Sequence, residues 1–209
     1  MSISFCAVFA AVLLLAPMCI SAQDIPAAPA AVMPPLDGKD RMQAYLKSLV
    51  SPTAILSNVL IAGYEEARNF PHEWGRTGTG FEKRLGSQYA QFFLDKSIEL
   101  GFGAIHHEDN RYMRLGDGSS FMRRFGNVVK STVVVSSTNG GQTIALGQIF
   151  GAYGSWAIAS QVWEPPSEQR TSRIFLWGSV DLAAKGGYNL LKEFGPRKKS
   201  LLVPATSHP

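Results

Sequence analysis

Between Ser131 and Trp163 the chain runs for thirty-three residues without a charge. Apolar surface left in water is unfavourable by about 25 cal/mol per Å², so this run must be covered, either by the protein's own core or by lipid. Its second part, residues 143–163, would reach about 32 Å as one helix, close to the thickness of a bilayer's hydrocarbon layer. Gly147 and Gly151 would give that helix a small-xxx-small face, on which two backbones can approach closely and through which chains can self-associate. Against a span, Gln148, Ser155, Ser160 and Gln161 dilute the apolarity and three glycines lower the helix propensity. Arg123, Arg124 and Lys130 on its N-terminal side also oppose the positive-inside preference of an exported chain, although Arg170 and Arg173 beyond it blunt that argument. The favoured reading is a buried central helix packed through its glycines, with a bilayer span and a position on a membrane surface left open.

The first part of the run is ambiguous. In "STVVVSSTNGGQTIALGQIF" two apolar stretches flank Asn139-Gly140, a strong short-range hairpin signal. Yet Phe121, Phe125, Val128, Val129 and Val133 carry a helical stripe into the valines, and Gly140 with Gly141 would serve as a helix stop. Two helices joined at Asn139 to Gln142 are expected, with a local β-hairpin within residues 131–150 as the alternative.

Elsewhere the chain marks its helices by capping chemistry. Ser51 precedes Pro52, so a helix should start there, with Ser51 as N-cap and proline where a missing N–H is harmless, and end before Pro71. Thr79 followed three residues later by Glu82 has the capping-box spacing. Phe81, Leu85, Tyr89, Phe92, Phe93 and Leu100 then trace one apolar stripe to about Ile105. A last helix from about Ser172 to Phe194 carries Ile174, Trp177, Ala184, Tyr188 and Leu191 on one side and stops at Gly195-Pro196. With 45% hydrophobic and 17% charged residues in 209, the chain has material for one core of ordinary size.

The first twenty-two residues have the anatomy of a secretory signal: an apolar centre from Phe5 to Leu15, Pro17, and small residues at Ser21 and Ala22. No Lys or Arg precedes the apolar centre, a departure that keeps an uncleaved anchor open. Both cysteines, Cys6 and Cys19, fall inside this segment, so the exported chain has no thiol for a disulfide, a metal or a nucleophile. The chain thus divides into a signal at 1–22, an Ala/Pro-rich linker at 23–36, one helical domain at 37–196 and a basic, disordered tail at 197–209. The formal charge of +4 favours anionic surfaces weakly and gives no reason to expect nucleic acid.

The chemistry-bearing residues concentrate in "GAIHHEDNRYMRLGDG". His106 and His107, with Glu108 and Asp109, are the candidate acid/base residues. Adjacent imidazoles on a helix point about 100° apart and cannot share one ion. Asp95, Glu99 and His106 instead fall on one side and form the candidate metal set, although Lys96 beside Glu99 would make a plain solvated ion pair. The structural alternative places the histidines in a last helical turn near free carbonyls and lets Asp109 cap a short turn through Tyr112 and Met113. Arg111, Arg114, Arg123 and Arg124, interleaved with apolar residues, are candidates for anionic headgroups; the bland counterpart is a solvated basic face. His72 in "HEW" has no second histidine at ligand spacing, no nucleotide-binding motif appears, and no cofactor is expected.

With "HHEDNRYMRLGDGSSFMRRFGNVV" in view, the chain resembles a family of uncharacterised exported bacterial proteins in which a "HEDPRY"-like corner follows a Tyr/Phe-rich helix and precedes an arginine-led one. The likeness covers about Ser51 to Pro196, with Asn110 in place of the proline. It implies export to the periplasm or cell envelope and a helical, membrane-associated fold, and it carries no activity. The expectation is therefore an all-α, glycine-rich bundle of five or six helices with a structural or binding role at a membrane surface. The alternative is a metal-dependent or acid/base hydrolase centred on His106 and His107.

Overall fold

The computed structural model describes residues 36–116 and 118–195. The proposed signal, both cysteines, the linker up to residue 35, Asp117 and the basic tail lie outside them. The described residues form six α-helices and a small sheet, the all-α bundle expected. Helix α1, Gly38–Leu49, starts at Asp37, whose side chain accepts from the Asp40 N–H at 2.7 Å. Helix α2, Pro52–Arg68, starts as its sequence predicts, with Ser51 Oγ accepting from the Ala54 N–H, and ends where Asn69 turns left-handed at φ 52°.

Helix α3, Gly78–Ile105, begins two residues ahead of the expected cap: Thr77, not Thr79, accepts from the Gly80 N–H at 3.0 Å. The reason is tertiary. Arg84, with no exposed surface, bonds Glu66 and the carbonyls of Phe70, Pro71 and Gly75. It ties the first turns of α3 onto the preceding loop so tightly that a Cβ on Gly80 would stand 2.6 Å from the Trp74 and Gly75 carbonyl oxygens.

After α3 come strand β1, Glu108–Asp109, helix α4, Phe121–Val133, strands β2, Val134–Ser137, and β3, Gln142–Ile144, and helices α5, Leu146–Val162, and α6, Thr171–Phe194. The two-helix reading of the uncharged run is corrected here, since the hairpin forms. Strand β2 pairs antiparallel with β3 (Val135 opposite Thr143), and β1 pairs on its other side (Asp109 opposite Ser136). Gly140 and Gly141 have φ 94° and 78°, the left-handed region that glycine tolerates. The β-branched Thr132 to Val135 leave the helix readily. A partner some thirty residues earlier completes the pairing, with Thr138 N–H donating to the His107 carbonyl at 2.8 Å.

Every major helix contact is antiparallel. Tyr45 of α1 meets Ser97 of α3, Glu65 of α2 meets Gln88, and Tyr153 of α5 meets Ser179 of α6. Arg124 of α4 meets Glu193 of α6. The closest pair is α3 with α5. Cβ atoms on Gly147 and Gly151 would stand 3.0 Å from the Glu99 carbonyl oxygen and 2.9 Å from that of Asp95. These glycines are therefore packed against α3 within one chain, the buried-helix packing that the sequence favours. Helix α5 is a buried-glycine helix of 17 residues, and no single described helix is long and apolar enough to cross a membrane.

The bundle is polar within and apolar without. Among the described residues the buried apolar ones are Val128, Val135 and five alanines, whereas Arg84, Gln91, Asp95, Glu108 and Glu193 are buried too. The aromatic stripe of α3 does not form the core: the buried face is Gly80, Arg84, Ser87, Gln91, Asp95 and Gly103. Tyr188 and Leu191 of α6 are likewise exposed. Gly151→Val forces a side chain into the Asp95 backbone and is expected to destabilise the fold by about 1–3 kcal/mol. Gly86→Ala, exposed and with nothing within 4 Å of the added methyl, is expected to stabilise it by about 0.5–1 kcal/mol. Urea denaturation followed by circular dichroism checks both.

Candidate functional site

The space Gly151 leaves beside α3 is taken by the Asp95 carboxylate, and around it a five-charge network assembles. Lys185 of α6 reaches 2.5 Å from Asp95 Oδ1, 3.4 Å from Asp181 Oδ2 and 3.9 Å from Glu99 Oε2, and donates to the Gln148 carbonyl at 3.3 Å. Lys96 lies 2.7 Å from Glu99 and 3.3 Å from Asp95. Asn110, from the corner after α3, donates to Glu99 Oε1 at 3.1 Å. Helical spacing explains the set: Asp95 and Glu99, and Asp181 and Lys185, are each four residues apart and share a face. The Lys96–Glu99 pair is present but is not the solvated pair expected, because both side chains lie largely under the network.

Three carboxylates stand against two ammonium groups. Burial pushes the Glu99 carboxyl up, but Lys96 and Lys185 outweigh it and hold it below the usual carboxylate range. Burial pulls the Lys96 ammonium down, and Glu99 with Asp95 more than reverses that. Asp181 is the exception: burial, with Asp95 adding to it, raises its carboxyl against the pull of Lys185. Its Oδ2 is buried without a hydrogen bond. The network can therefore take up a proton at Asp181 as the pH falls.

Among the described residues the histidines join no metal-holding group. His106 is the C-cap of α3, exposed, its ring stacked on Phe102 at 6.1 Å. His107 is exposed at φ 56°, contributing its backbone carbonyl to the sheet. Among the described residues no three His, Cys, Asp or Glu side chains gather as metal ligands, so Asp95 and Glu99 meet lysines rather than His106. Glu108 is fully buried and accepts from the Gly147 N–H at 3.0 and 3.2 Å, a carboxylate on the N-terminus of α5. Burial raises its carboxyl even so. No helical turn follows Asp109 through Tyr112 and Met113; Asp109 lies in β1, accepts from the Arg111 backbone N–H at 3.1 Å and grips the Arg111 guanidinium through both oxygens.

The arginine patch is similarly divided. Arg111 is bound to Asp109, and Arg124 is bound to Glu193 at 2.8 Å. Arg114 is half-buried, and Arg123 stands exposed. Glu193, fully buried, is the hub of that corner: burial raises its carboxyl, but the Tyr112 hydroxyl, Arg124 and the Leu115 N–H outweigh it and lower it.

A second buried acidic group lies at the opposite end of α3 and went unnoticed in the sequence. Glu164 accepts from Ser87 and from Gln91 at 3.0 Å, and Ser87 in turn accepts from the Trp163 indole N–H at 2.9 Å. Glu65 accepts from Gln88 at 2.8 Å, and Glu168 from the Trp177 indole at 3.0 Å. Burial raises Glu164, and burial together with Glu164 and Glu168 pushes Glu65 up to about 8, with Arg84 opposing. The signal was present as Arg84, Ser87, Gln91 and Asp95, a polar stripe at helical spacing, where buried faces are ordinarily apolar. Set against protein-family models, curated proteins and solved structures, the chain matches none.

Lys185→Met leaves Asp95 buried beside Lys96 alone and is expected to destabilise the fold by about 3 kcal/mol; Asp95→Asn added to it should recover most of that loss in urea titrations. Glu65 keeps its proton to about 8 in the folded state and loses it near 4.5 unfolded. Its contribution to stability is thus complete below 4.5 and is lost as pH rises toward 8. Glu65→Gln is expected to flatten the melting temperature over that window.

Proposed function

We propose that the chain is an exported component of the cell envelope that associates with a membrane surface in a structural or binding role. The observation that carries this reading is the reversed polarity of the bundle. On α2 the outward positions Ile55, Leu56, Val59, Leu60 and Tyr64 form one apolar face, with Leu56 59% and Leu60 63% exposed. Val162 and Leu191 are each 70% exposed. Soluble monomers rarely leave contiguous apolar faces in water. The interior has the complementary character: glycine and alanine at the helix contacts, with polar side chains bonded across them, the means by which helices associate when surrounding lipid is as apolar as leucine.

The signal anatomy of the first twenty-two residues supports export. Helices α1 and α2 together are long and apolar enough for a membrane segment, but they meet at a bend of 42°, which suits a position at the surface better than one straight crossing. We prefer this reading to the alternative hydrolase because His106 and His107 are exposed and Asp95 and Glu99 are engaged by Lys96 and Lys185.

Purified mature protein is expected to float with vesicles of phosphatidylglycerol and to resist extraction by high salt. Leu56→Glu with Leu60→Glu should weaken that binding by about tenfold or more, since each leucine contributes roughly 1.5–3 kcal/mol when covered. Recovery of the unmodified protein wholly in the vesicle-free fraction overturns the reading.

A further inference from the structure

Helix α4 is amphipathic in reverse. At about 100° per residue, Phe121, Phe125, Val129, Met122 and Val133 fall within an arc of about 120°, and all five are exposed, Met122 at 73% and Phe121 at 62%. Arg124 and Ser131 face inward onto α6, where Arg124 binds Glu193 and Ser131 Oγ accepts from Asn189; Thr132, at the edge of the arc next to α6, lies where a Cβ on Gly186 would touch it. Arg123 and Lys130 project from the flank beside the apolar arc, both exposed, and among the described residues neither makes a hydrogen bond or ion pair.

The arc opens at one end into a groove between α4 and the last turns of α6. The groove has a volume of about 380 Å³ and is lined by Phe121, Phe125, Leu190, Leu191, Phe194 and Gly195. Phe121 lies against Phe125 and Phe194, and the Arg124 guanidinium sits 4.3 Å from the Phe194 ring centre. That arginine is already neutralised by Glu193, so the wall presents hydrocarbon and aromatic faces without a free charge. A helix with an apolar arc and a basic flank, uncovered among the described residues, is built to lie in a lipid interface.

We propose that α4 lies flat in an anionic lipid surface and that the groove it forms with α6 takes one acyl chain of an anionic phospholipid. Arg123 and Lys130 meet the headgroup phosphates, their stems lying along the apolar arc and their charges reaching the polar layer. The proposal rests on the membrane reading above and adds a specific lipid site to it. Of the four arginines that the sequence nominates for headgroups, only Arg123 has this role; Arg111 and Arg124 are held by carboxylates of the fold.

The test uses full mature protein on vesicles doped with phosphatidylglycerol carrying a photoreactive group at the acyl terminus, with adducts located by mass spectrometry. Adducts are expected on Phe121, Phe125, Leu190, Leu191 or Phe194. Leu191→Glu, at an exposed rim position and checked for an unchanged circular dichroism melt, should lower them about fivefold. Arg123→Gln with Lys130→Gln should lower labelling by the phospholipid probe while leaving labelling by an uncharged photoreactive diacylglycerol unaffected; an unchanged phospholipid signal in this variant removes the headgroup from the proposal and overturns it. Adducts confined to α2 with α4 and α6 clean overturn the groove site and leave membrane association standing. Failure to float at all overturns both. A concentration-dependent dimer abolished by Leu191→Glu assigns the groove to a second copy and also overturns the lipid site.

Discussion

The close approach of α3 and α5 is the constraint on which the rest of the structure depends. Gly147 and Gly151 bring the two backbones near enough that no side chain fits between them, and the space they leave is filled by carboxylates from α3 and the corner rather than by methyl groups. Asp95 is placed beside Gly151, and Lys185 follows because a buried carboxylate without a cation is unfavourable by several kcal/mol. Glu108 is placed over the first turn of α5 by the same contact, where the free N–H groups of Gly147 and its neighbour receive it. The sheet, which holds Glu108 and Asp109 in line, then depends on a corner whose position α5 sets.

A core made this way stabilises through directed bonds and small-residue contacts more than through removal of apolar area from water. Arg84, the Lys185 network and Glu193 each tie together two or three elements, and each is satisfied by several partners. Such interiors are demanding, because a half-satisfied buried group is worse than an apolar one. The exposed aromatic and aliphatic faces of α2, α4 and α6 are the counterpart of that interior, and the two features have one origin: residues ordinarily directed inward are directed out.

This inversion explains which parts of the fold could be read in advance. Helix ends governed by local chemistry were legible: Ser51-Pro52 starts α2, Ile105 ends α3, and Phe194-Gly195 ends α6. Local chemistry also misled. Thr79 and Glu82 match a capping box, but the clamp of Arg84 on the preceding loop moved the start to Thr77. The hairpin at Asn139-Gly140 competes locally with a helical stripe, and its third strand, Glu108 and Asp109, lies beyond any local window. Asp95 and Glu99 were rightly placed on one face, and their partners Lys96 and Asn110 lay close at hand. Lys185 did not, since it arrives from a helix ninety residues later.

By itself, the sequence determined the helical class, most helix boundaries, the concentration of charge on α3 and the glycine face of α5, because these depend on residues within a few turns of one another. Tertiary structure decided which face of each helix is inside. Periodicity reports that a helix has two unlike faces and says nothing of which one is covered; that choice rests on the neighbouring helices and on what surrounds the bundle. It also decided the fate of the histidines. They are near Glu108 and Asp109 in sequence, yet the left-handed turn at His107 sends the carboxylates inward to α5 and Arg111 and leaves both imidazoles outside.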